Sequence, residues 1–110
     1  MNEVTFIKIL EDTIKNSRNT LGLKGNEYAR EDRLHNFKVA ARIDDTTPEK
    51  ALKGMSLKHI VSVFDLISDT DKKPYKWTKE IIDEKIGDSI NYLYLLKALL
   101  YERLDNQNKE

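Results

Sequence analysis

The sequence predicts an all-α fold: a four-helix bundle-like domain with a long C-terminal helix. Apolar residues recur at roughly three- to four-residue spacing along most of the chain, which is typical of amphipathic helices. No segment alternates apolar and polar residues for long, as a half-buried strand would. The two prolines, Pro48 and Pro74, lie in polar stretches between apolar segments, so they indicate connections between helices.

The first two predicted helices flank a glycine-containing segment. We expect the first helix over residues 3–17, where apolar residues repeat on one face. That face consists of Val4, Phe6, Ile7, Leu10 and Ile14. Residues 21–26 hold two glycines and two leucines, which favours a loop anchored to the core by its leucines. The second helix is clearest over residues 31–43. Its start is open, since residues 27–30 fit either an earlier helical turn or the loop.

The third helix has the strongest start signal in the chain. Thr47 is a preferred capping residue, and Pro48 suits the first helical position. Glu49 places negative charge near the positive end of the helix dipole. We expect this helix to end near Ile67. Because its apolar residues surround it almost completely, it should be buried on most sides.

The fourth predicted helix runs from about Thr78 to Leu104, a length of roughly 40 Å. Residues 1–104 are therefore expected to form a single helical domain, and residues 105–110 a polar tail. Apolar residues occupy two faces of this helix, more than one small chain can cover. We therefore expect a homo-oligomer, most simply with twofold symmetry. Three tyrosines suit such an interface, namely Tyr92, Tyr94 and Tyr101.

Composition excludes several classes of protein. The chain has 110 residues, no cysteine, and 19 basic residues that offset 19 acidic ones. Without cysteine there is no disulfide scaffold, thiolate zinc site or cysteine nucleophile. The neutral net charge argues against a protein that coats nucleic acid, since such domains are strongly basic. The apolar runs are far shorter than a membrane span needs, and no signal-peptide pattern is visible, so we expect a cytoplasmic protein.

A strip of polar residues interrupts the apolar third helix. Lys58, Ser62 and Asp65 follow one another at spacings that place them on one side, with His59 beside them. Charged groups in an apolar helix must be paired, hold a ligand or face a wet cavity. The strip therefore indicates either a binding site or a mutual ion pair. A lone histidine at such a position is more often a hydrogen-bonded core residue than a metal ligand.

The fourth helix has a similar strip. Glu84, Asp88 and Asn91 share one side, and Leu95 and Leu99 continue that side. A solvent-facing strip would not normally continue as leucine. We therefore expect Asp88 and Asn91 to face another helix and to be at least partly buried.

A third polar cluster precedes and begins the second helix. It supplies the carboxylates Glu27 and Asp32 and the donors Lys24, Arg33 and Asn36. Carboxylates from three segments would repel one another unless a cation or shared protons offset them. Mg²⁺ typically binds one or two carboxylates together with waters and substrate phosphates. The pattern thus predicts a magnesium-dependent nucleotide site, with a solvated loop and internal ion pairs as the alternative.

Over residues 24–100 the chain resembles a family of small bacteriophage proteins. It is also similar to the nucleotide-modification-associated domain and, remotely, to the MazG-like all-α nucleoside triphosphate pyrophosphohydrolases. The segments on which the resemblance rests are Lys24-Gly25-Asn26-Glu27-Tyr28-Ala29, Asp32-Arg33-Leu34-His35-Asn36-Phe37, Lys58-His59-Ile60-Val61-Ser62 with Asp65, and Asp83-Glu84-Lys85-Ile86-Gly87-Asp88-Ser89-Ile90-Asn91-Tyr92-Leu93. The resemblance implies Mg²⁺ held by helical Glu and Asp, and cleavage between the α and β phosphates.

The MazG-like pattern is only partly present. Residues 84–88 match its second acidic helix, Glu-Glu-x-Gly-Asp, and Asp88 matches the metal-binding Asp. Lys85 stands where the family has a metal-binding Glu, and a lysine does not ligate Mg²⁺ at neutral pH. The Glu-Glu-x-x-Glu string of the first acidic helix is absent. The resemblance therefore implies the fold more strongly than the catalysis.

Three hypotheses follow. The first is a phage nucleotide pyrophosphohydrolase in the host cytoplasm. The second is a protein that sequesters a nucleotide without chemistry, including a signal of host defence, and Lys85 favours it. The third is a helical module that binds another protein. The site residues expected under the first two are Glu27, Asp32, Asp65 and Asp88 for catalysis, Asp65, Glu84 and Asp88 for metal, and Lys24, Arg33, Asn36, Lys58, His59, Ser62 and Asn91 for the nucleotide.

Overall fold

A computed structural model shows four α-helices in the described part of the chain, the last of them an extended C-terminal helix. The structure describes residues 1–24 and 32–109, and within them no strand occurs. The helices are α1 (Glu3–Arg18), α2 (His35–Ile43), α3 (Pro48–Ser68) and α4 (Lys79–Lys109). The all-α prediction is confirmed. None of these helices contains an apolar stretch long enough to cross a lipid bilayer.

The helix starts follow from capping residues. The Thr47 hydroxyl accepts a hydrogen bond from the Lys50 N–H at 3.2 Å, and Pro48 occupies the first position of α3. Thr78 does the same for α4, since its hydroxyl accepts from the Ile81 N–H at 3.2 Å. These contacts satisfy N–H groups that have no partner inside the helix. The predicted starts of α3 and α4 are therefore confirmed.

Three predicted boundaries differ from the structure. A π-helical segment, Asn19–Lys24, continues α1 where a loop was expected. Helix α2 begins at His35 rather than near residue 31. Helix α4 continues to Lys109, so most of the expected polar tail is helical. Where the apolar pattern of a helix ends, its face is no longer buried. The backbone hydrogen bonds of the helix can nevertheless continue beyond that point.

The buried core formed by the described residues is small and lies where α2, α3 and α4 meet. Its buried cluster consists of Leu34, Phe37, Leu52 and Leu99. The most extensive helix contact joins α3 and α4, whereas α1 packs against α4. Outside the core, Glu49 at the start of α3 accepts two hydrogen bonds from the Arg103 guanidinium, at 3.0 and 2.7 Å. This two-pronged ion pair fixes the start of α3 against the C-terminal half of α4.

The expectation that α3 is buried on most sides is wrong for the single chain. Phe64 and Ile67 on α3 are 61% and 60% exposed. The predicted apolar face of α1 is also exposed, with Val4 at 77% and Phe6 at 55%. Helical spacing identifies an apolar face, but burial requires a neighbouring surface. The three long helices of one chain do not supply enough neighbouring surface to cover these faces.

Candidate functional site

A cleft between α3 and α4 brings together five of the residues predicted to form the site. It has a volume of about 310 Å³. Its walls are Lys58, His59 and Ser62 from α3, and Ile81, Glu84, Lys85 and Asp88 from α4. Residues four apart lie on the same side of a helix, which explains why Lys58 accompanies Ser62 and why Glu84 accompanies Asp88. The polar strips of the two helices therefore face one another across the cleft.

His59 is fixed between two residues of α4. Its Nδ1 lies 3.4 Å from Oδ2 of Asp88. Its ring also stacks on Tyr92, with ring centroids 5.2 Å apart and an angle of 29° between the planes. The imidazole side chain is 21% exposed. The Asp88 carboxylate faces Nδ1 of the imidazole, and the ring remains partly exposed toward the cleft.

The cleft also contains two lysines that no carboxylate neutralises. Within the described residues, no acidic oxygen lies within 4.0 Å of the amino group of Lys58 or Lys85. Both ammonium groups are therefore available to an anion. The Ser62 hydroxyl is oriented differently, because it donates to the Lys58 carbonyl at 3.0 Å. Its oxygen lone pairs consequently remain as acceptors in the cleft.

A second cleft lies on the other side of the same acidic strip, between α1 and α4. It has a volume of about 500 Å³, and Glu84 and Asp88 line it as well. Its opposite wall is uncharged and polar, with Thr13, Asn16 and Asn19. Asn91, which we predicted to be partly buried, lines this cleft, and its Oδ1 is buried without a hydrogen-bond partner in the described structure. The two clefts together exceed the lower size of typical small-molecule sites, about 300 Å³.

A methyl group on Gly87 would test whether this second cleft holds a ligand. Gly87 lines the cleft, and a Cβ placed on it would meet no atom within 4 Å. We expect Gly87→Ala to raise the free energy of unfolding by about 0.8–1 kcal/mol, because alanine favours the helix. It should also weaken ligand binding by filling the cleft. Gly54→Ala on α3 is the control: it should stabilise similarly and leave ligand affinity unchanged, as urea unfolding and calorimetry would show.

Asp32 occupies a different place in the fold. Its carboxylate accepts a hydrogen bond from the Leu34 N–H at 3.0 Å and is paired with Lys38. Lys38 also pairs with Glu102 on α4. Hydrogen bonds from Lys38 and then from the Leu34 N–H hold the pKa of Asp32 below its ordinary value of 3.8. This carboxylate therefore fixes the start of α2 against α4 and does not join the α3–α4 cleft.

Removal of Lys38 should show this role. Hydrogen bonds to Asp32 and Glu102 raise the pKa of Lys38 above 10.5. The ion pairs of Lys38 therefore contribute fully to the stability of the fold below pH 10.5. The contribution of Asp32 to stability is lost as the pH falls through the lowered pKa of its carboxylate. Because both carboxylates are substantially exposed, we expect Lys38→Met to cost only about 1 kcal/mol at pH 7. Urea unfolding should show that this difference shrinks as the pH falls below the ordinary Asp pKa of 3.8.

Of the remaining predicted site residues, those that the structure describes do not line the α3–α4 cleft. Asp65 is exposed on α3, one turn beyond Ser62, and is not part of the cleft wall. Arg33 and Asn36 are exposed at the start of α2. Glu27 and the side chain of Lys24 lie outside the described residues. The sequence predicted that polar residues from three segments come together. Within the described part of the chain, only the polar strips on α3 and α4 do so.

Sequence reasoning missed two contributions to these clefts. The positive charge of Lys85 was taken to favour sequestration, but Lys85 was not assigned to the site, yet it lies in the wall beside Glu84. The polar residues of α1, Thr13 and Asn16, were not assigned to the site. Their signal was available, since they are three residues apart and therefore on one side of a helix.

The described residues offer little support for a magnesium ion in these clefts. No group of three or more His, Asp or Glu side chains is arranged to hold a metal ion within residues 1–24 and 32–109. Glu84 and Asp88 are two carboxylates one turn apart, and Lys58 and Lys85 share their cleft. Positive charge so close opposes a bound cation. The donor set suits an anionic ligand better than a metal.

Comparisons with known proteins add no assignment. No family model, no curated protein sequence and no solved structure matches this chain.

Proposed function

We propose that this chain is a nucleotide-binding protein whose site is the α3–α4 cleft and its continuation toward α1. The observation that carries the proposal is the opposition of Lys58 and Lys85 across one cleft, next to the carboxylates Glu84 and Asp88. A nucleotide can bind both kinds of side chain, because its phosphates accept hydrogen bonds from lysines and its sugar hydroxyls donate hydrogen bonds to carboxylates. The sequence resemblance to nucleotide-processing proteins points to the same ligand class.

Each side of the site suits a different part of the ligand. The two lysines would bind phosphate oxygens as point charges. Glu84, which lines both clefts, would accept a hydrogen bond from the sugar. Asp88 would hold His59 in position through the contact at 3.4 Å. The uncharged polar wall of the second cleft would then face the rest of the nucleotide, and the partnerless Asn91 Oδ1 would accept from it.

Binding without hydrolysis fits these residues best, and the second candidate is the magnesium-dependent pyrophosphohydrolase. One observation favours that second candidate: Glu84 and Asp88 lie on the same side of α4, as paired carboxylates in such enzymes do. Against it stand the lysines in the same cleft and the missing further carboxylates. A sequestering role in the cytoplasm of a phage-infected cell is the setting that we propose.

We also propose that two or more copies associate through their apolar faces. The described chain leaves large apolar side chains of three helices exposed, including Phe6, Phe64 and Leu93 at 55%, 61% and 64%. Large exposed apolar patches mark interaction sites in soluble proteins. A second copy supplies the matching chemistry because the exposed faces are themselves apolar. Light scattering should give a mass of at least two chains, and a monomer at micromolar concentration would contradict this.

The experiment that tests the proposed function is a calorimetric titration. A panel of linear and cyclic nucleotides is titrated with Mg²⁺ and with a chelator, and each mixture is then analysed for products. We expect binding that persists in the chelator and returns the ligand intact. Release of pyrophosphate only with Mg²⁺ would establish the hydrolase instead. No binding across the panel would overturn the proposal and favour the helical protein-interaction module.

A further inference from the structure

The connector between α3 and α4 concentrates basic and aromatic residues. We call residues 72–79 the lysine-aromatic connector; its sequence is Lys-Lys-Pro-Tyr-Lys-Trp-Thr-Lys. It contains four lysines, two aromatic residues and no acidic residue. The neutral charge of the whole chain conceals this local excess, although acidic residues flank the connector on both sides, at Asp71 before it and at Glu80 after it. Lysines with interleaved aromatics are the pattern of single-strand nucleic-acid binding surfaces.

The two aromatic rings form a platform. Tyr75 and Trp77 stack with their centroids 4.8 Å apart and an angle of only 10° between their planes. Tyr75 is 49% exposed. Two parallel rings cover one face of each other, and the half-exposed Tyr75 leaves part of the pair open to another planar group. Every nucleobase has such a face, and base–aromatic stacking does not depend on sequence.

Positive charge surrounds this platform. A cleft of about 350 Å³ lies beside it, and Lys72, Lys73, Lys76 and Trp77 are among its lining residues. Lys72 is paired with Asp69 at 3.2 Å, and outside this cleft Lys79 is paired with Asp83 at 3.1 Å. Lys73 and Lys76 have no carboxylate within 4.0 Å in the described part of the chain. Two ammonium groups are thus available to phosphates next to an exposed aromatic surface.

From this juxtaposition we propose that the lysine-aromatic connector binds single-stranded nucleic acid. A base stacks on the outer face of the Tyr75–Trp77 pair, and the neighbouring phosphates contact Lys73 and Lys76. A membrane surface is a poorer match, because an amphipathic helix with a broad apolar face is the typical means of binding there, and residues 72–78 of the connector are not helical. The inference is independent of the proposed nucleotide site, which involves other residues.

The single tryptophan makes the connector observable. Trp77 is the only tryptophan of the chain, so tryptophan emission, excited selectively over that of the five tyrosines, reports on this segment. Oligothymidylate of about 12 nucleotides is the probe, since single-strand binding sites span roughly 4–16 nucleotides. We expect saturable quenching of the tryptophan emission. Two lysine–phosphate contacts should make the logarithm of affinity fall with that of salt concentration with a slope of about −1.4.

Variants separate the two components of binding, measured by anisotropy of labelled oligothymidylate. Trp77→Ala should weaken binding about 5- to 100-fold, and Trp77→Phe should retain most of the affinity because phenylalanine still stacks. Lys73→Ala with Lys76→Ala should remove the salt dependence. The control pair Lys50→Ala with Lys53→Ala makes the same change in net charge on α3 and should leave binding intact. Circular dichroism verifies that each variant is folded.

Ligand controls decide whether bases are recognised. An abasic oligonucleotide of equal length has the same phosphates and should bind at least about fivefold more weakly. Equal affinity for the abasic strand or for polyglutamate would overturn the proposal, since only charge would then be recognised. So would equal binding by Trp77→Ala, absence of any quenching by oligothymidylate, or capture by phosphatidylserine vesicles that the oligonucleotide does not reverse.

Discussion

Reversal of the charge at Lys85 is expected to weaken nucleotide binding by about 10- to 100-fold. A hydrogen bond between charged groups contributes about 1.5–3 kcal/mol, and about 1.4 kcal/mol corresponds to a factor of ten in affinity. Lys85→Glu removes one such contact to phosphate and places a third carboxylate beside Glu84 and Asp88. Isothermal calorimetry with the tightest-binding nucleotide of the panel measures the change.

The control for this result is a charge reversal away from the cleft. Lys53 is exposed on α3 and does not line the α3–α4 cleft. Lys53→Glu makes the same change in net charge, so it separates a local contact from general electrostatic attraction. We expect its affinity to stay within about twofold of the unmodified protein, because exposed charges at a distance are screened by salt. Similar losses in both variants would show that the cleft does not bind the phosphates.

The largest loss of stability is expected from Phe37→Ala. Phe37 is 7% exposed and belongs to the one described cluster of buried apolar side chains. Truncation of a buried phenylalanine typically costs about 3–5 kcal/mol, through lost transfer free energy and the cavity that remains. In a small domain this is a large part of the total stability. Urea unfolding followed by circular dichroism, at one fixed protein concentration, measures the loss.

Phe64→Ala provides the matched comparison on an exposed face. Phe64 is 61% exposed on α3, so the single chain gains little from it. If copies associate through this face, the loss in Phe64→Ala should grow as the protein concentration rises, whereas the loss in Phe37→Ala should not. A loss above about 3 kcal/mol in Phe64→Ala that does not depend on concentration would contradict this description of the core.

The helices that sequence predicted most accurately are those whose ends have a chemical signal. Thr47 with Pro48 marked the start of α3, and Thr78 marked that of α4, because a capping hydroxyl accepts a specific backbone hydrogen bond. The end of α4 has no comparable signal. Polar residues near position 105 sustain a helix without any apolar face. Burial was overestimated for α1 and α3 since spacing does not reveal what covers a face.

The site was predictable where its residues share one side of a helix. Lys58 with Ser62, and Glu84 with Asp88, were singled out by spacing, and they line one cleft. Spacing did not reveal the role of Asp32. Its carboxylate pairs with Lys38 on α2, and Lys38 in turn pairs with Glu102 on a different helix, α4. Long-range ion pairs leave no local pattern. The lysine-aromatic connector was overlooked for the opposite reason, since whole-chain charge averages a local excess to zero.

Asp88→Asn tests most directly whether the α3–α4 cleft binds a nucleotide without a metal. Asparagine keeps an oxygen that can accept from His59, but it removes negative charge next to the phosphates. The unmodified protein and this variant are each titrated with the nucleotide, once with Mg²⁺ and once with chelator. We expect the affinity of Asp88→Asn to equal or exceed that of the unmodified protein, and we expect neither affinity to depend on Mg²⁺. Loss of binding or of turnover in the variant, confined to the samples with Mg²⁺, would contradict the account and assign Asp88 to a metal.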